Sequence, residues 1–361
     1  MAPHSNTLSS SKAEDESRHA ALKVDGLWKV FGMSGSQLAS LAEEDRTTEK
    51  LASMGAVGAV QDASFSVHQG EVFVVMGLSG SGKSTLLRCL TRLIEPSAGN
   101  ITIAGQDLVA AGEKDLIDIR RKHIGMVFQH FALLPNRTVM SNIAFPLEVQ
   151  GVGRDETEKK VRQLIELVGL TGREGRYPSE LSGGQQQRIG IARSLATDPD
   201  FWLLDEPFSA LDPLIRTDLQ DELLRLQKTL AKTVVFITHD LDEAIRIADR
   251  VAIMENGRII QIGTPEELVT RPATDYVRRF VAKVSPSKVV RVRSIMESFV
   301  SSVENSSTST NVQADSTIEE IAPLLMQADD AFSVVNDTGK KIGSLDRMKA
   351  LSVLTRANSI A

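Results

Sequence analysis

The sequence predicts an α/β fold built around a phosphate-binding loop, and three observations predict it. Gly77 to Thr85, GLSGSGKST, meets every fixed position of the P-loop pattern. Before it, Glu71 to Met76 reads EVFVVM, a nearly continuous apolar run of the kind a buried parallel strand shows. After it, Leu86, Leu87, Leu90, Leu93 and Ile94 recur at helical spacing. A strand, a Gly-rich turn and a helix in that order let backbone N–H groups close around phosphate oxygens. Lys83 supplies a point charge, and Ser84 offers its hydroxyl to magnesium at the positive end of the helix. Gly77, Ser79, Gly80, Ser81, Gly82, Lys83, Ser84 and Thr85 are therefore candidate ligands of a nucleoside triphosphate.

Composition narrows the class. The 361 residues suffice for one large domain or two, and 42% are hydrophobic, as in a soluble globular protein. No apolar run approaches the ~20 residues that span a bilayer, so any membrane contact is expected through partners. A net charge of −6 gives no global electrostatic reason to bind nucleic acid. The single cysteine, Cys89, falls among leucines and reads as a small core residue. With no second cysteine there is no internal disulfide, which suits the cytosol.

In chain order, Met1 to about Ala20 is a Ser-, Glu- and Lys-rich lead-in expected to be disordered, with no export signal. From Leu22, LKVDGLWKVFG reads as a first strand carrying two exposed-looking aromatics, Trp28 and Phe31. A polar segment with Leu38 and Leu41 at helical spacing then delays the second strand, Val60 to Val67, whose alternation is that of a half-buried antiparallel edge. Beyond the loop helix, Glu95 to Gly99 is a turn and Ile101 to Ile103 a short strand. Ile124 to Phe128 is a buried-strand candidate ended by Gln129. Thr138 to about Pro178 is mostly amphipathic helix, an insert in the α/β domain. After LSGGQQQR (Leu181 to Arg188) come a striped helix, the strand Phe201 to Asp205, a helix near Leu214 to Leu230, and the strand Thr233 to Ile237 before His239.

These pieces imply cleavage of a phosphoanhydride. Asp205, at the end of an apolar strand, is placed beside the magnesium held by Ser84, because parallel strands end at the same sheet edge as the loop. The adjacent Glu206 is the candidate base for the attacking water. Gln129 and His239 each follow a strand and reach the same edge, to hold or sense the γ-phosphate. Ser182, Gly183, Gly184 and Gln185 open a helix and form a second anion site. The helical insert is expected to hold it far from the chain's own P-loop. The simplest arrangement is a head-to-tail homodimer, in which each helix start caps the nucleotide of the other copy.

GLSGSGKST, Gln129, LSGGQQQR, FWLLDEP, Ser209 to Asp212 and His239 in THDLDEA together resemble the nucleotide-binding subunit of ABC transporters, over about residues 22 to 283. The strings RLIEPSAG, SALDPLIRTDLQDEL and GTPEELVTRPATDYVRRF narrow the resemblance to the ATPase of glycine betaine, proline betaine and choline importers. The resemblance implies an α/β P-loop NTPase of ABC type with a helical subdomain near 136–195, using ATP and Mg2+. It implies that Phe31 stacks on adenine, that Gln129 joins Ser84 and Asp205 at the metal, and that Asp212 links the two ATP sites. It implies partners too: a membrane permease, an extracytoplasmic substrate-binding protein, and a place on the cytoplasmic face of the inner membrane through the permease alone. By the same resemblance, Gln129 to Pro135 and the insert helices form the groove for a permease helix; Phe131, Leu133 and Leu134 fit both that role and ordinary core.

The tail reads as a second unit. Residues 284–310 turn to Ser, Val, Lys and Thr and are expected to be a linker after the 21–283 domain. Residues 311–361 read strand, helix, strand, turn, strand, helix, and resemble a single CBS motif, a small regulatory module. Soluble ABC ATPases of nucleic-acid maintenance are the alternative class. The chain lacks the heptads and cysteines that their long insertions need.

Overall fold

The computed structural model describes residues 20–129, 131–209, 211–298, 310–327 and 331–356. The lead-in expected for residues 1–19 and the linker expected for residues 299–309 lie outside them.

Strands β1 (Ala20–Phe31) and β2 (Val57–His68) pair antiparallel, and the polar insert between them forms two short helices. These are α1 (Gly35–Ser40) and α2 (Thr48–Ser53), N-capped by the side chains of Ser34 and Thr47. Leu38 and Leu51 from the two helices bury against Trp28, Val30 and Ala56. This corrects the reading of the first strand: Trp28 is 7% exposed while Phe31 is 43% exposed. The pairing of β1 with β2 shifts register between Leu27, Lys29 and Val30, so simple alternation fails there, and the insert covers the indole.

Strand β3 (Val72–Met76) runs into the phosphate loop and helix α3 (Lys83–Leu90). Cys89 on α3 is buried, and that burial pushes its thiol up to about 11. Strands β4 (Ala98–Ile103) and β5 (Gln106–Asp107) complete an antiparallel sheet of order β2-β1-β4-β5. Helix α4 (Glu113–His123) leads to β6 (Ile124–Val127). The helical insert supplies α5 (Val139–Gln150), α6 (Arg154–Leu167) and α7 (Gly183–Leu195). Then come β7 (Phe201–Asp205), α8 (Pro213–Leu230), β8 (Thr233–Thr238), α9 (Leu241–Ile247), β9 (Arg250–Glu255) and β10 (Arg258–Gly263).

The second sheet has the order β10-β9-β3-β8-β7-β6. Every residue of β3, β7 and β8 is buried, as a parallel strand covered on both faces requires. The register sets the site. Met76 lies opposite Thr238 and Asp205 opposite Ile237, so the phosphate loop, the 205–206 pair and His239 leave one carboxyl edge together.

By compactness the chain divides into two units, residues up to Asp240 with Ala252–Ile259, and Leu241–Val251 with Ile260–Ala361. The boundary expected from the sequence lies at 283 instead. The second unit contains α9, α10 (Pro265–Thr270), α11 (Asp275–Val281), α12 (Val292–Ile295) and a sheet of order β11-β14-β13-β12. Its strands are β11 (Glu297–Ser298), β12 (Asn311–Gln313), β13 (Phe332–Val335) and β14 (Lys341–Leu345). Two further helices, α13 (Ile318–Gln327) and α14 (Arg347–Arg356), complete the expected strand-helix-strand-strand-helix order. The linker expectation is corrected for its first half. Val284, Val289, Val290 and Val292 bury in one core with Ile318, Leu325 and Phe332, and β11 pairs with β14. The valines that made this stretch look like extended linker are core residues.

Trp202 on β7 is fully buried and its indole N–H donates to Ser194 Oγ at 2.7 Å. Trp202→Ala is expected to cost about 3–5 kcal/mol in a denaturant titration; a loss below about 1 kcal/mol contradicts this packing.

Candidate active site

The phosphate loop is built by close backbone approach. A Cβ at Gly77 meets Met254 O at 2.2 Å, and one at Gly82 meets Ala59 O at 2.0 Å. Gly82 is also left-handed at φ +103° and is the N-cap of α3, so only glycine fits. Lys83 begins the helix, and its ammonium donates to Gly77 O at 2.8 Å and Leu78 O at 3.1 Å. Burial draws the Lys83 pKa below the usual lysine value, against the upward pull of Glu206 and Asp205. The first turn of α3 directs its backbone N–H groups and the positive end of the helix dipole to the loop.

Asp205 is the last residue of β7 and is 4% exposed. Ser84 Oγ donates to its Oδ1 at 3.0 Å. Burial pushes the Asp205 carboxyl above the usual carboxylate range, and the Ser84 bond opposes that rise.

Glu206 departs from sheet geometry. Its φ is +44°, a left-handed conformation unusual for a residue with a side chain. The backbone is held there from both sides: its N–H donates to Ile237 O at 3.0 Å and its carbonyl accepts from Ser209 Oγ at 3.0 Å. The turn brings the carboxylate to two other predicted residues. Glu206 Oε2 lies 3.1 Å from His239 Nδ1 and 3.4 Å from Gln129 Nε2. Lys83, Ser84, Gln129, Asp205, Glu206 and His239 therefore converge, as the motif spacing predicts.

Other predicted residues stand apart. Phe31 ends β1 half-exposed, with the Lys29 ammonium 5.0 Å from its ring centroid. Trp28 carries the Arg258 guanidinium 5.8 Å from its own ring and is core, which separates the two aromatics. Ser182 caps α7: Gln185 N–H donates to Ser182 Oγ at 3.4 Å, and Ser182 N–H donates to Gln185 Oε1 at 3.1 Å. Gly184 packs on α8, where an added Cβ meets Ile215 Cγ2 at 2.6 Å. Asp212 is the exposed N-cap of α8. Among the described residues no hydrogen bond joins Ser182 to Gln185 with the phosphate loop.

Gln61 on β2 belongs to no sequence motif. It is 1% exposed, and its Nε2 donates to Asn256 O, Gly58 O and Thr48 Oγ1 at 2.8, 3.1 and 3.1 Å. Its N–H donates to Gly257 O at 2.7 Å, and Gly257 N–H donates to Ser81 O of the phosphate loop at 2.9 Å. One buried amide thus ties the insert helix α2 to the support behind the loop. Alternation hid it, because Val60 and Gln61 are both buried and Asp62 turns left-handed at φ +53°.

The ABC transporter family model matches residues 60–209. The trimethylamine N-oxide transport system ATP-binding protein TmoW of Pelagibacter ubique is 48% identical over 330 residues, 91% of this chain and 96% of that protein. The glycine betaine/carnitine transport ATP-binding protein GbuA of Listeria monocytogenes is 51% identical over 276 residues, 76% of this chain and 70% of that protein. A solved dimeric structure of the ATP-binding cassette MJ0796 in a post-hydrolysis state with ADP and Pi is 30% identical. It superposes with a TM-score of 0.57 over 68% of this chain and 98% of that one.

Asp205 has a stability consequence with a defined sign. Its raised pKa means that the folded protein holds a proton above the pH at which the unfolded chain releases it, so stability falls as pH rises through that window. Asp205→Asn is expected to raise the unfolding midpoint of nucleotide-free protein at pH 7, and to lose that advantage near pH 4. An unchanged or lower midpoint at pH 7 contradicts the burial cost.

Proposed function

This chain belongs to the ATP-binding family of ABC transporters and is an ATPase, and on that premise we propose that it energises a membrane importer of small solutes bearing a permanently charged, fully substituted nitrogen. The observation that carries the chemistry is the Glu206 carboxylate, turned out of the sheet to meet Gln129 and His239. In this reading Glu206 takes a proton from water as its oxygen attacks the γ-phosphorus. The bond from that phosphorus to the bridging oxygen breaks, and ADP and phosphate leave. Lys83 and the loop N–H groups from Gly77 to Thr85 hold the phosphates, His239 holds the γ-phosphate, and Phe31 stacks on adenine.

The donor set near Ser84 fits magnesium: a hydroxyl, the Asp205 carboxylate and the Gln129 amide are hard ligands suited to a small divalent cation. Mg2+ held by these residues would neutralise phosphate charge. Ser182, Gly183, Gly184 and Gln185 close the site of a second copy, and Asp212 joins the two sites. The dimeric state described for the MJ0796 cassette supports this assembly. The permease and an extracytoplasmic binding protein complete the complex at the cytoplasmic face of the inner membrane. No described helix is long and apolar enough to cross a membrane. The net charge of −6 agrees with a machine that takes no nucleic acid.

The relatives' names support the substrate class. Trimethylamine N-oxide and glycine betaine share a nitrogen with four substituents and no proton, and choline and proline betaine share it too. Residues 311–361, resembling one CBS motif, are the proposed regulatory part.

Glu206→Gln is expected to keep ATP binding, lose hydrolysis by about 10²- to 10⁴-fold and accumulate as an ATP-bound dimer in sedimentation; normal turnover refutes the base assignment. In a deletion strain, uptake of labelled trimethylamine N-oxide, glycine betaine or choline is expected to fall and to return with the intact gene. Unaltered uptake of all three overturns the substrate class.

A further inference from the structure

The segment after Gln129 has an unusual backbone. Phe131 and Ala132 are consecutive non-glycine residues with left-handed φ of +56° and +47°. Two helices grip it. From α7, Arg193 donates Nη1 to Ala132 O at 2.8 Å and Nη2 to Phe131 O at 3.0 Å. From α5, the fully buried Asn142 accepts Leu134 N–H at 2.8 Å and donates to Leu134 O at 3.1 Å. No carboxylate pairs with Arg193 among the described residues, and burial draws its pKa down, so its charge is directed wholly at the two carbonyls. A planar guanidinium offers two donors in a fixed fork, which lysine does not.

We propose that Arg193 is a positioning residue for hydrolysis, holding the strained Phe131–Ala132 turn so that Gln129, two residues earlier, stays aimed at Glu206. Gln129 meets Glu206 at 3.4 Å, a long contact that imposes little order by itself. The order comes from downstream, where the fork fixes the turn. Because α7 opens at Ser182 and carries Arg193 near its other end, the helix that offers the second anion site is tied by a side chain to the Gln129 loop. Nothing in this link touches the phosphate loop, so its removal is expected to act on turnover more than on nucleotide affinity. The proposal rests on the reading of Glu206 as the base.

The test uses the full chain and steady-state ATP hydrolysis. Arg193→Met is expected to lower kcat at least tenfold with KM for ATP within twofold, and Arg193→Lys to fall between it and wild type. Ala132→Gly added to either variant is expected to recover part of kcat, because glycine takes the left-handed turn without the fork. Should Arg193→Met fail to fold, the Arg193→Lys pair carries the same comparison. Unchanged kcat in Arg193→Lys and Arg193→Met, a KM that rises in step with falling kcat, or no recovery with Ala132→Gly overturns the proposal. Glu206→Gln assayed alongside separates the two readings. If it is inactive while the Arg193 variants turn over normally, only the positioning role fails; if it hydrolyses ATP normally, the base assignment fails and takes this proposal with it.

Discussion

The parallel register of β3, β8 and β7 is the constraint on which the site depends. Met76 opposite Thr238 and Asp205 opposite Ile237 put three strand ends at one level. A slip of one residue in a strand exchanges its two faces and moves its last side chain by about 3.3 Å. Such a slip separates Ser84 from Asp205, now joined at 3.0 Å, and Glu206 from His239, now 3.1 Å apart. Every residue of β3, β7 and β8 is buried, so the strands that align the site are also core. Catalytic alignment and core packing are thus one property of the sheet.

Around that edge the protein holds groups in states that work against its stability. Lys83 and Asp205 are both buried, and burial pushes each toward its neutral form. Glu206, Phe131 and Ala132 sit in left-handed backbone, at a cost of order 1–3 kcal/mol each. Specific bonds offset these costs: Ser84 to Asp205, Ile237 and Ser209 to Glu206, and Arg193 to the 131–132 carbonyls. Strain therefore gathers where phosphate chemistry needs fixed geometry.

Much of this was legible in the sequence, for a physical reason. The phosphate loop, the strand ending in Asp205 and Glu206, and the strand before His239 are local patterns whose context is also local, and the sheet brings them together. What stayed hidden is non-local or irregular. Trp28 looked as exposed as Phe31 until the insert helices covered it. Gln61 lies where alternation breaks, so its face could not be read. The valines from Val284 to Val292 have linker-like neighbours but pack with residues some thirty positions later. Arg193 did leave a signal, a lone charge in the apolar run IGIARSL, but its carbonyl partners lie about sixty residues upstream.

In the proposed dimer each ATP site is a property of two chains: the loop at Lys83 from one and the helix start at Ser182 from the other. Complementation tests this most directly, using Lys83→Ala and Ser182→Arg chains assayed for ATP hydrolysis separately and after mixing. Each variant alone is predicted to be inactive. A mixed dimer places both defects in one site and leaves the other intact, so mixing is predicted to restore hydrolysis. A mixture as inactive as its components, or full activity in Ser182→Arg alone, contradicts the shared site.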